Sequence, residues 1–253
     1  MPFEPHGSFK QPPDENAYIW RFIDLPKFLD FLHSGSLYFT RLDNMNDPYE
    51  GMMPDEYAEA VKAGRSAFGS LSQQIRRFAY FRSTYFVNCW HLSKHESDAM
   101  WKLYAGVDAG IALRSTYSRL KSALNECPDR VFLGTVNYSV ESVFGTVNGF
   151  KFVMHKRPAF EYEKEIRAVL WSATNMSRPV DFDDEGPVSL PLPAVPGPVF
   201  IRVPVDIRQL LIGVVLSPAT PPWLPDVIRD VVKRFGYDIP LSASTLSQLS
   251  YLT

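Results

Sequence analysis

The sequence predicts an α+β fold: one domain with a mostly antiparallel central sheet flanked by helices. Strand-like and helix-like segments are mixed without strict alternation, which argues against a doubly wound parallel sheet. The 253 residues are 45% apolar and include 18 Phe, 12 Tyr and 5 Trp, enough bulky side chains for one large core. No internal repeat is visible, and 26 basic against 28 acidic residues leave no single-sign field around which the fold must be organised.

Residues 1–16 carry Pro2, Pro5, Gly7, Pro12 and Pro13 with little apolar periodicity and read as a flexible N-terminal tail, leaving 17–253 for the domain. Tyr18-Ile19-Trp20-Arg21-Phe22-Ile23 reads as a strand with Tyr18, Trp20 and Phe22 on one face and Ile19, Arg21 and Ile23 on the other. Asp24 is placed to cap a helix in which Leu25, Phe28, Leu29 and Leu32 recur at helical spacing until Gly35. A strand at Leu37–Thr40 leads into Asp43-Asn44-Met45-Asn46-Asp47-Pro48, a turn or loop by its Asx residues and proline. Residues 55–80 read as mostly helical.

Tyr85–Trp90 is a further strand, followed by a polar loop at His91. Ser93 and Glu96 have capping-box spacing for a helix running through Met100, Trp101 and Tyr104 to Gly106. Gly110–Leu113 reads as a short buried strand, and Ser115-Thr116 can cap a helix from Tyr117 to Leu124. Val131–Val140 and Lys164–Trp171 read as strands. Eleven of the 21 prolines lie between Pro179 and Pro225, so 174–198 is expected to be a long Pro-rich loop. Val199–Val205 and Leu211–Leu216 close the sheet, and Pro225–Phe235 is an amphipathic helix packed on it.

Balanced charge argues against a constitutive, charge-driven nucleic-acid binder, although a local basic cleft remains open. Two cysteines are too few for a disulfide framework, and no apolar stretch approaches the roughly 18 residues of a membrane helix. A cytoplasmic protein without membrane contact is therefore expected. Rossmann, P-loop, zincin and α/β-hydrolase signatures are absent from the sequence.

The sharpest chemical signal is Glu161-Tyr162-Glu163-Lys164-Glu165-Ile166-Arg167. Strand alternation would send Ile166, Ala168 and Leu170 to one face and Glu163, Glu165 and Arg167 to the other. Two carboxylates so placed suit stabilisation of an oxocarbenium ion and capture of a ribose hydroxyl, with Arg167 orienting them. The alternative is a solvated sheet face with cross-strand ion pairs. Arg21 can grip a phosphate or pyrophosphate, or pair with one of the glutamates. Trp101 and Tyr104 can stack on a planar ring or belong to the core. Asn46 can contact a ligand or serve only its turn. Cys89, His91 and His95 are possible zinc ligands, but no fourth partner is evident and no metal is expected.

Several ordered stretches carry a family resemblance: Leu37-Tyr38-Phe39, Asn46-Asp47-Pro48-Tyr49-Glu50, Val87-Asn88-Cys89-Trp90-His91, Met100-Trp101-Lys102-Leu103-Tyr104, Lys156-Arg157, Phe160 to Arg167 and Val214 to Pro218. Together, over residues 18–250, they resemble the bacterial domain of unknown function 2971 family. The order of elements also resembles ADP-ribosyltransferase-type domains, with an early strand bearing a basic residue and a late strand bearing E-x-E. That resemblance implies NAD as substrate, Glu165 as catalytic carboxylate and Glu163 as the group activating the acceptor. It also implies Arg21 and Trp101 or Tyr104 as NAD-binding residues, and Asn46, His91 and Arg167 are expected to bind NAD with them. The usual Ser-Thr-Ser motif is represented only by Ser115-Thr116.

The expected function is thus an NAD-dependent ADP-ribosyltransferase-like enzyme, a bacterial toxin or phage-defence effector modifying nucleic acid or protein, with a cognate antitoxin as a possible partner. Water as acceptor would make it a NAD glycohydrolase. The alternatives are a non-catalytic nucleotide-sensing or protein-interaction module, and a metal-dependent nuclease that needs a ligand from outside the Glu163 segment.

Overall fold

A computed structural model describes residues 6–64, 69–106, 109–139, 148–172 and 197–247. Alternation along β1 (Tyr18–Ile23) buries Ile19 and Ile23 on one side and Trp20 and Phe22 on the other, so this strand is covered on both faces. The sheet is completed by β2 (Ser36–Arg41), β3 (Tyr85–Leu92), β4 (Ile111–Thr116), β5 (Val131–Thr135), β6 (Glu165–Trp171), β7 (Phe200–Pro204), β8 (Gly213–Leu216) and β9 (Leu241–Ala243). Its order is β5-β6-β3-β1-β4-β8-β9, with β2 also bonded to β3 and β7 outside β2. Every pairing between these strands is antiparallel except β8 with β9.

Strand β3 shares one edge between two neighbours. Phe86 and Val87 pair with Arg41 and Thr40 of β2, whereas His91 and Leu92 pair with Trp20 and Ile19 of β1. Between those contacts, at Asn88–Trp90, β1 and β2 diverge and the sheet is split. Side chains bridge the split: Asn88 Nδ2 donates to the Tyr38 carbonyl at 2.9 Å and Arg21 Nη2 to the same oxygen at 3.3 Å.

Helix α1 (Leu25–Ser34) starts where Asp24 accepts the Lys27 amide at 2.8 Å and ends at Gly35, whose φ of 57° admits the left-handed turn. Helices α2 (Asp55–Lys62) and α3 (Leu71–Arg82) follow, the latter with a capping box between Ser70 and Gln73. Next come α4 (Asp98–Met100), α5 (Tyr117–Leu124), α6 (Gly149–Val153), α7 (Ile207–Leu210) and α8 (Leu224–Arg234). Helices α1, α5 and α8 cover one sheet face, where Phe28, Leu32, Tyr117, Leu120, Ile228 and Val232 meet Ile19, Leu113, Ile166, Ala168 and Leu170 in the main core. The other face carries two smaller apolar clusters, one around Val87, Phe132 and Val169 and one around Trp20, Phe22, Met100 and Trp101. These elements form a single α+β domain, and among the described residues no helix is long and apolar enough to cross a membrane.

Four local expectations change. The tail is packed from residue 6 onward: Phe9 is buried against Phe132 and Phe150, and Lys10 bridges to Thr135 of β5. Gly134 permits this, because a Cβ there would meet the backbone of Phe9 and Lys10 at 3.0 Å. The helix expected from Ser93 begins instead at Asp98 with Ser97 as its cap, and continues as a π-helical turn over Trp101–Ala105. Glu96 cannot close a capping box, since its carboxylate accepts from Trp101 Nε1 at 3.1 Å and from the Thr245 amide at 2.8 Å. His91 lies within β3 rather than in a loop. The strand expected over Val131–Val140 ends at Thr135, after which Asn137 bridges to His155 and Val140 lies outside the described residues. Most of the Pro-rich 174–198 segment also lies outside them.

Candidate active site

The acidic segment does not enter the sheet as one continuous strand. Pro158–Glu163 forms a 3₁₀ turn, and Lys164 reverses the chain with a φ of 41°, so β6 begins only at Glu165. Glu163 therefore stands on the turn and Glu165 and Arg167 on the strand. Both glutamates nevertheless line one cavity of about 210 Å³.

The expectation of a solvated charged face fails. Glu163, Glu165 and Arg167 are all buried, and Arg167 is 0% exposed. Arg167 grips Glu165 with Nε at 2.6 Å and Nη2 at 2.9 Å, and reaches Glu50 at 2.8 Å. Lys156 bonds Glu163 Oε2 and lies 3.5 Å from both Glu50 and Glu165. Three carboxylates and two cations thus share a water-poor cluster, one negative charge in excess when all are ionised. Tyr104 completes it by donating to Glu163 Oε1 at 2.7 Å.

Burial alone would raise the Glu165 pKa, but the charge and hydrogen bonds of Arg167, with Lys156 and the Cys89 thiol, pull it down to about 2. Burial likewise works against the Lys156 ammonium, and the attraction of Glu165, Glu50 and Glu163 reverses that and raises its pKa. The Cys89 thiol is pushed well above its usual range by burial and by the neighbouring Glu165 charge, so it is not a thiolate nucleophile at neutral pH. The Tyr104 phenol is raised by burial and by Glu163, which keeps it a donor.

Arg21 lines the same cavity as Glu163 and Glu165, although its strand face is the one carrying Ile19 and Ile23. The split between β1 and β2 makes this possible. Neither glutamate pairs with it: among the described residues it has no ion-pair partner, and its Nη1 is buried without a hydrogen bond. Desolvation lowers its pKa to about 10, so it is still a cation at neutral pH. Arg21 also borders a second cleft of about 540 Å³, bounded by Lys27 and Asp30 of α1, Tyr38 of β2, and Phe200 and Arg202 of β7. The rings of Tyr38 and Phe200 stack at 4.5 Å between centroids on its wall. Ile23, Lys27 and Thr40 line both cavities, which therefore adjoin at Arg21.

Of the residues singled out from the sequence, Arg21, His91, Tyr104, Glu163 and Glu165 meet in the first cavity. Trp101 does not line it: its ring packs edge-on against Phe22 in the apolar cluster, 3% exposed. Asn46 is exposed on its loop, where the neighbouring Asp47 receives Arg157 at 3.0 Å. Arg167 sits behind Glu165 and orients it without facing the cavity. Ser115 donates to the Leu210 carbonyl and Thr116 caps α5, so both serve the scaffold.

Lys156 and Glu50 belong to the site but were legible only as letters of the family resemblance. They come from irregular segments far apart in sequence, where no periodicity marks a buried charge.

Among the described residues no three His, Cys, Asp or Glu side chains are grouped as metal ligands would be, and the glutamates' oxygens face Lys156, Arg167 and Tyr104. Neither the zinc nor the nuclease reading finds support in this geometry. Comparison with family models, curated proteins and solved structures finds no match for the chain.

Proposed function

We propose that the protein is an NAD-consuming enzyme of the ADP-ribosyltransferase type. The observation that carries this reading is the largely desolvated guanidinium of Arg21 at the seam of two clefts, with Nη1 buried and unbonded and no ion-pair partner among the described residues; one of the clefts ends in an acidic cluster. A desolvated cation without a counter-charge costs several kcal/mol, and a bound pyrophosphate offsets that cost through charge-assisted hydrogen bonds. With a pyrophosphate at Arg21, the smaller cleft takes a ring and its ribose beside Glu163 and Tyr104. The larger takes the adenylate half against Tyr38 and Phe200.

The chemistry follows from the charges. Cleavage of the nicotinamide–ribose bond builds positive charge on the ribose, and the excess negative charge of the cluster favours it. Glu165, held ionised by Arg167, supplies charge rather than a proton. Glu163 and Tyr104 are placed to orient the ribose hydroxyls. The acceptor is a nucleic acid, a protein or water, and membership of the domain of unknown function 2971 family and a toxin or phage-defence role belong to the same proposal.

The test is NAD titration by calorimetry together with an assay of nicotinamide release. Arg21→Ala should weaken NAD binding by about 10- to 100-fold, as expected for loss of a buried charge-assisted contact. Glu165→Gln should lower release by about 100-fold or more while the variant remains folded by circular dichroism. Unchanged NAD affinity in folded Arg21→Ala would remove the pyrophosphate from this site. NAD binding by the wild-type protein with no release would make it a sensing module.

A further inference from the structure

The acceptor's proton needs a base, and Glu163 is poorly suited to that role. Each of its carboxylate oxygens is already engaged by a donor, one from Tyr104 and one from Lys156. A second titratable group lies beside it. His91 of β3 stands in one cross-strand row with Trp20 and Glu165, and it lines the same cavity.

Its tautomer is settled by geometry. Nδ1 lies 2.6 Å from the backbone carbonyl oxygen of Glu163, which can only accept, so Nδ1 carries the hydrogen. In the neutral ring Nε2 then holds a lone pair, and among the described residues no group bonds it. The imidazole lines the cavity, where an acceptor can reach it. The ring is fixed by that one hydrogen bond and by the edge of Phe22, 6.2 Å between centroids.

We propose that His91 is the general base of the reaction, taking the proton of a neutral hydroxyl acceptor, water included. This rests on the NAD-cleaving reading above. As the acceptor oxygen bonds to C1′ of the ribose, the C1′–N bond breaks and its electron pair leaves with neutral nicotinamide. The acceptor proton passes to Nε2, and the imidazolium later releases it to solvent. The charged and titratable groups around the ring are Glu163 of the 3₁₀ turn and Lys164 just after it, Glu165 from β6, Lys156 in the same cavity, Tyr104 from the π turn and Cys89 on its own strand. The neighbouring part of β1 contributes Trp20 and Phe22 beside the ring and, in the same cavity, the Arg21 cation.

Burial pushes the imidazole below its ordinary value of 6.5, and the nearby Lys164 charge acts in the same direction against the Glu163 carbonyl and carboxylate. The base is therefore in its active, neutral form at pH 7 and is lost only under more acidic conditions.

The variant His91→Asn places an amide nitrogen where Nδ1 was, keeps the bond to the Glu163 carbonyl and removes Nε2. His91→Gln serves in its place if the first does not fold. The wild-type kcat for nicotinamide release should fall at acidic pH below 6.5. His91→Asn should lower kcat by about 100-fold, far more than it weakens NAD binding, and abolish that acidic limb. Azide, an anion with no proton to lose, should restore turnover in the variant by forming the ribosyl azide. An unchanged kcat or a retained acidic limb in a folded variant overturns the assignment of His91 and leaves the NAD reading standing. Absence of nicotinamide release from the wild-type protein overturns both.

Discussion

The two faces of β6 differ in what their neighbours demand. On one, Ile166, Ala168 and Leu170 enter a continuous apolar core and touch the helical layer. On the other, Glu165 and Arg167 are as deeply buried but surrounded by charge, and the apolar packing there is interrupted between the Val169 and Trp20 clusters. One strand thus carries both a stabilising face and a costly one. A buried ion cluster is weak evidence for stability, since matched apolar residues often do as well.

The contrast can be broken or sharpened by substitution. Ile166→Asp places an unpaired carboxylate in the main core and should cost more than about 4 kcal/mol, comparable with the whole stability of a domain. Loss of the cooperative urea transition is the expected result, and a soluble, cooperatively unfolding variant would show the faces to be misassigned. Arg167→Met leaves Glu165 and Glu50 without their main counter-charge and should destabilise by roughly 3–5 kcal/mol in the same measurement. A loss below about 1 kcal/mol would mean that the cluster behaves like a surface ion pair.

Acid unfolding separates the faces further. Glu165 has its pKa depressed from 4.5 to about 2, so the folded state binds fewer protons than the unfolded chain in that window. The stability it contributes is complete above its unfolded value and declines as pH falls from there toward 2. Glu165→Gln should flatten this decline in pH-dependent thermal melts, whereas the apolar variant Ile166→Val should leave it unchanged. Arg21→Met should be neutral or stabilising by about 1 kcal/mol without ligand, because it removes a desolvated charge that has no ion-pair partner among the described residues. A destabilisation of several kcal/mol would show instead that Arg21 holds the split sheet together. Lys164→Gly, which eases the positive φ before β6, should change stability by no more than about 1 kcal/mol.

The apolar side was readable because its signals are local. Periodicity placed α1, α5 and α8, the caps Asp24 and Thr116 accept the hydrogen bonds expected of them, and alternation put Ile166, Ala168 and Leu170 on the core face. The polar side depends on contacts that spacing does not encode. Glu96 has the sequence position of a capping residue, yet Ser244 and Thr245 use its carboxylate from a distant segment. Lys164 is an ordinary strand residue by composition, and only its left-handed backbone takes Glu163 out of β6. Arg21 and the glutamates were expected to share a cavity and do, but the opening between β1 and β2 that admits Arg21 has no signature in any single strand.

The passage of residues 9–11 across Gly134 matters beyond packing. β5 ends the sheet on that side, and Lys10 and Gln11 occupy its outer groups: the Thr135 amide donates to the Lys10 carbonyl at 2.8 Å, and Gln11 Nε2 to the Leu133 carbonyl at 2.8 Å. Shortening the polypeptide past this strap would bare a hydrogen-bonding margin next to Phe132 and Phe150, a template on which copies of the chain could line up and precipitate. Recombinant production should therefore retain the amino-terminal stretch and carry any affinity tag ahead of it.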